Sequence, residues 1–71
     1  MMRIIAFYQG NMSEEKDKDV HDIFKRHGGR PIGSGFSLID KVRDIEYEVP
    51  DYNAGHVASV LIKAGFKVEC P

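Results

Sequence analysis

Ten Lys plus Arg stand against eleven Asp plus Glu in a chain of 71 residues, a formal charge of −1 that excludes a protein held to nucleic acid by bulk charge and is too small for an acidic mimic of DNA. The length allows one domain, 1–71, with no internal repeat or linker, and a chain this short buries only roughly 60% of its unfolded surface. No segment approaches the ~20 apolar residues needed to cross a bilayer, and the single Cys70 cannot form an internal disulfide, so a soluble protein of a reducing cytoplasm is expected, with no membrane partner.

Met2 to Gln9 reads as a first strand, rich in β-branched and aromatic residues. Gly10-Asn11-Met12 breaks it, and a helix follows with Asn11 or Ser13 as N-cap. Asn11 and Glu14 have the capping-box spacing, and Glu14 and Glu15 suit the positive end of the helix dipole. Val20, Ile23, Phe24 and His27 recur at i, i+3, i+4 and i+7, one stripe of a helix, while the charged run Glu14 to Asp19 reads as solvated. Gly28-Gly29 ends this helix.

Pro31 opens a second extended stretch to about Ile39, in which Gly33 and Gly35 predict an edge strand or a bulge. Asp40-Lys41 is the expected turn into Arg43 to Val49, where Ile45, Tyr47 and Val49 alternate with Asp44, Glu46 and Glu48. Asp51 is the predicted cap of a second helix whose buried arc is Ala54, Val57, Ala58, Leu61 and Ile62, widened by Val60 and Ala64. This helix is expected to be the more deeply buried of the two. Gly65 is the predicted left-handed residue after it, with Phe66, Val68 and Cys70 alternating in a last short strand.

The order strand, helix, strand, strand, helix, strand is the α+β ferredoxin-like βαββαβ arrangement. Right-handed crossovers place the first and third strands centrally, giving a four-stranded antiparallel sheet in order 4-1-3-2 with both helices on one face. The other face is left open. Glu46, Glu48, Lys67 and Glu69 belong on it. In the first strand Arg3 and Gln9 share parity with Ile5 and Phe7, which sends Ile4, Ala6 and Tyr8 inward and Ile5 and Phe7 to the open face. A slip of one residue would exchange the two sets. The candidate protein interface is therefore Arg3, Ile5, Phe7, Gln9, Glu46 and Glu48, apolar at the centre and charged at the rim.

A second cluster, Lys25, Arg26, His27 and Arg30, is the candidate anion site, with a solvated helix C-terminus as the competing reading. The glycines beside it match neither GxGxxG nor GxxxxGK[ST] and follow a helix instead of a strand. RNA-recognition modules share this topology and stack bases on the central strands, but Glu46 and Glu48 would repel phosphate there. His21, His27 and His56 have no recurring ligand spacing and Cys70 has no CxxC partner, so no metal or cofactor is expected. His21 and Asp17 form an i, i+4 pair of the kind found on helix surfaces.

Acylphosphatases of this topology place an Arg in the loop after the first strand, where this chain has Gln9-Gly10-Asn11-Met12. The opening IIAFYQ…DIFKRHGG resembles that of small metal-dependent nucleases, which set an Asp after the Tyr; here Gln9 follows Tyr8. Copper-chaperone relatives would need two cysteines near the same loop. With no catalytic constellation, the expectation is a non-enzymatic binding protein, a regulator or inhibitor that docks its open sheet face or a sheet edge on a partner protein or a second copy of itself. The alternative is a nucleic-acid-binding module using the basic cluster.

Overall fold

Alternation in the two central strands organises the molecule, whose computed structural model describes residues 1–71. Strand β1 (Met2–Gln9) and strand β3 (Val42–Val49) pair antiparallel along their whole length, Met2 opposite Val49 and Gln9 opposite Val42. Strand β2 (Arg30–Ser37) adds to the outer side of β3, and β4 (Lys67–Glu69) to the outer side of β1 at Ile5 to Phe7. The sheet order β2-β3-β1-β4 is the expected 4-1-3-2. Helices α1 (Glu14–Arg26) and α2 (Asp51–Lys63) lie together on one side, packing on β1, β3 and β4.

Burial settles the parity of the first strand. Ile4, Ala6 and Tyr8 are in the core, and Ile5 and Phe7 are not. They join Ile45, Tyr47 and Val49 of β3, Val20, Ile23 and Phe24 of α1, Ala54, Val57 and Leu61 of α2, and Phe66 in one apolar cluster. At its centre the Phe24 and Tyr47 rings stack at 4.3 Å, with 8° between their planes.

Both helix ends are closed by the same local chemistry. After α1, the Gly29 amide donates to the Phe24 carbonyl and the Gly28 amide to Lys25, with Gly28 at φ +77. After α2, Phe66 donates to Leu61 and Gly65 to Ile62, with Gly65 at φ +98. Each is a Schellman motif, satisfying carbonyls that the helix leaves orphaned. Gly29 is further constrained because a Cβ there would meet the Phe24 carbonyl oxygen at 2.8 Å.

At the start of α1, Ser13 is the N-cap, its hydroxyl accepting from the Lys16 amide at 3.2 Å. The second helix corrects two expectations. Pro50, not Asp51, occupies its N-cap position, and Asp51 instead reaches the N-terminal ammonium of Met1 at 3.1 Å. Ile62 is exposed while Val60 packs against the core, so the buried arc is rotated toward Val60. Each helix buries three side chains. Strand β2 is both an edge and bulged, its register shifting between Pro31 and Gly33.

Candidate functional site

Strand register writes out the open face row by row, because residues opposite one another in an antiparallel pair point to the same side. The rows run Arg30–Glu48–Arg3, then Gly33–Glu46–Ile5–Glu69, then Gly35–Asp44–Phe7–Lys67, then Ser37–Val42–Gln9. Ile5 and Phe7 are half-buried by their own neighbours and stand in adjacent rows with Val42 beyond them. Toward β2 the two glycines leave bare backbone. A Cβ at Gly33 would meet nothing within 4 Å, whereas one at Gly35 would press on the Asp44 carboxylate at 2.8 Å.

Two ion pairs bind the rim of this face to itself. Arg3 Nε donates to Glu46 Oε2 at 2.5 Å, and Arg30 Nη2 to Glu48 Oε1 at 2.5 Å. Five of the six interface candidates thus make one contiguous surface, Ile5 and Phe7 flanked by Arg3, Glu46 and Glu48, and Gln9 sits exposed at its far corner.

The basic cluster, in contrast, is split by the fold. Arg30 belongs to β2 and is held on the open face by Glu48. His27 turns back on its own helix, its Nδ1–H donating to the Ile23 carbonyl at 2.7 Å, with its ring edge-on to His56 at 5.1 Å. Arg26 Nε donates to the Asp22 carbonyl at 3.4 Å. Lys25 and Arg26 share their groove with Asp19 and Asp22, so carboxylates offset the cations there.

The covered face holds a polar knot at the Gln9 end of the sheet that the sequence reading did not assemble. Arg43 pairs with Tyr8 across the central strands and so points to the helix side. Its Nη2 and Nε meet the Asp17 carboxylate at 3.1 and 3.2 Å, and its Nη1 donates to the Gly35 carbonyl at 3.2 Å. The Tyr8 hydroxyl donates to Asp17 Oδ1 at 2.7 Å and accepts from the Ser13 amide at 2.8 Å. Three strands, the N-cap of α1 and its first turn are tied at one point. Next to it, His21 Nδ1 and the Tyr47 hydroxyl are hydrogen-bonded at 2.6 Å.

Titration within the knot follows from these contacts. Burial pushes the Asp17 carboxyl up, but the hydrogen bonds from Arg43 and Tyr8 outweigh it and hold the group below its ordinary value. The Asp17 hydrogen bond raises Arg43, so both ions persist. Burial raises Tyr8, helped by its bond to Asp17, and burial raises Tyr47, helped by the Asp22 charge. Both phenols stay protonated, Tyr8 serving as the donor to Asp17, and neither is poised as a nucleophile. The groove between α1 and β3 that this region borders is wide open to solvent, with Asp17, His21, Lys25, Pro31 and Tyr47 among its lining. No three His, Cys, Asp or Glu side chains are placed to share a metal ion. No helix is long and apolar enough to cross a membrane.

Compared with protein-family models, curated proteins and solved structures, the chain finds no match.

Proposed function

We propose that this is a non-enzymatic binding protein, a regulator or inhibitor that acts by docking its open sheet face on a partner protein. The observation that carries this reading is the placement of Ile5 and Phe7 in adjacent rows of a face that no element of the chain covers. Apolar side chains at the centre of a patch, ringed by charged groups, are the composition of a docking surface. The bare backbone at Gly33 lets a partner approach closely beside them. Arg3 and Glu46, and Arg30 and Glu48, hold each other in fixed positions, which suits them to set orientation. The alternative, binding of nucleic acid through Lys25, Arg26, His27 and Arg30, is weakened because His27 and Arg30 are engaged within the molecule.

The test is Phe7→Lys, compared with the natural sequence in affinity capture from the source lysate with mass spectrometry. The expected result is loss of the captured partner, with the far-ultraviolet circular dichroism spectrum unchanged. Capture of the same proteins by both forms would end the open-face reading.

A further inference from the structure

His27 and His56 lie far apart in the chain, and the fold brings their rings together. His27 is the C-cap of α1 and His56 lies in the second turn of α2. The end of one helix meets the start of the other there, Asn53 Nδ2 donating to the His27 carbonyl at 3.0 Å. His56 follows Asn53 by one turn and so rises from the same side of α2. Its ring centre stands 5.1 Å from that of His27, with 63° between the planes.

The neutral His27 ring has only one tautomer that suits its surroundings. Its Nδ1 meets the Ile23 carbonyl at 2.7 Å, and a carbonyl only accepts, so Nδ1 carries the proton and Nε2 the lone pair. A histidine that gives one ring proton to a backbone carbonyl and offers its other nitrogen is the arrangement found in metal ligands. Two imidazoles bound to one tetrahedral ion at roughly 2.0–2.1 Å place their ring centres about 5 Å apart. The observed 5.1 Å already has that value. His56 is exposed, so its ring has room to turn a nitrogen toward an ion held by His27. The setting also admits a cation. The end of α1 is the negative pole of its helix, and Lys25 and Arg26 in its last turn share a groove with Asp19 and Asp22, which offset them.

We infer that His27 and His56 form a two-histidine site for a divalent transition metal of the zinc, nickel and copper group. His27 binds through Nε2 and His56 through one ring nitrogen. Water fills the remaining positions, since no third His, Cys, Asp or Glu side chain is placed to join them. Imidazole nitrogen selects these ions over magnesium and calcium, which take oxygen ligands. The bound ion pins the end of α1 to the start of α2. It lies on the helix side of the molecule, so the site stands or falls independently of the docking proposed above.

The experiment is thermal unfolding of the untagged full chain in zinc, nickel or magnesium chloride, with Cys70→Ser as the background that removes the exposed thiol. A ligand of the folded state raises Tm as its concentration grows. Zinc and nickel are expected to do so, and magnesium is not. His56→Ala, a change at an exposed position, should leave the metal-free Tm in place and weaken zinc binding by about tenfold or more. A zinc titration followed by NMR of the histidine ring nitrogens separates this pair from His21, which is hydrogen-bonded to Tyr47. His27 Nε2 and one nitrogen of His56 should shift, while His27 Nδ1 keeps its proton and His21 stays in place. A Tm unmoved by millimolar zinc, a rise that survives His56→Ala, an equal rise in magnesium, or a shift confined to His21 would each overturn the inference.

Discussion

Opposite faces of the same strands handle charge in different ways. On the covered face, Arg43 and Asp17 have side chains only 12% and 17% exposed, and each is satisfied from several directions. On the open face, Arg3 is 56% exposed and Glu46 17%, and the two meet through a single hydrogen bond. The covered pair gives up much of its hydration and has to be matched donor for acceptor, because an unmatched ion there would be costly. In the open pair the Arg3 side keeps its water, and a pair with one solvated partner contributes little to folding. Charge on the covered side is therefore a structural fixture, and charge on the open side is free to serve recognition.

The largest effect should come from the apolar floor beneath the covered pair. Phe24→Ala removes a fully buried ring stacked on Tyr47 and should cost about 3–5 kcal/mol. A chain of this length has roughly 4–11 kcal/mol of stability in all, so the variant is expected to lose from about a quarter to all of it, read as a lower urea midpoint at 25 °C. A loss below about 1 kcal/mol would show that the helix side is not the seat of stability.

Asp17→Asn comes next. It leaves Arg43 facing a neutral amide, with little water to take the place of the lost charge, and should cost about 2 kcal/mol, or roughly 8–16 °C in Tm for a domain this small. The pH dependence has a defined sign. In the folded protein Asp17 titrates below its ordinary value of 3.8, so on acidification the unfolded chain takes up this proton first. The carboxylate's contribution is complete above about pH 5 and is lost as pH falls through the folded value. Chemical denaturation between pH 6 and pH 3 should show a steeper loss for the natural protein than for Asp17→Asn. Parallel curves would mean that the knot contributes nothing through charge.

Much of this arrangement was readable from residues alone, and the parts that were not have a common cause. Strand parity came from Arg3 and Gln9, whose preference for water fixed the positions of Ile5 and Phe7 even though both faces of β1 carry apolar side chains. The glycines marked both helix ends, where Gly28 and Gly65 take a positive φ that other residues resist, and they also marked the irregular edge strand. The knot escaped because Asp17 lies within the charged run Glu14 to Asp19 and looked solvated. A signal was available: Arg43 shares parity with Ile45, Tyr47 and Val49, and a cation on the dry side of a strand needs an anion from the facing helix. In α2, apolar residues on more than half the circumference left the buried arc underdetermined, which is why Ile62, expected within it, is exposed. The basic cluster was dispersed for another reason. Adjacency in sequence spanned a helix end and a strand start, and the chain turns between them.

The smallest expected effect is the most informative about recognition. Arg3→Ala removes the open-face pair from one side, and Glu46 is left without its partner. Nothing lies above that face, so the carboxylate can turn into solvent and recover its hydration, which Arg43 beneath α1 cannot do after Asp17→Asn. The stability loss should therefore stay within about 0.5 kcal/mol, a Tm change of no more than roughly 4 °C, and should shrink further in high salt. If partner capture falls in the same variant while the melting curve stays in place, the rim charge serves orientation and not folding. A loss equal to that of Asp17→Asn would erase the distinction between the faces, and with it the argument that the open side is kept for contact.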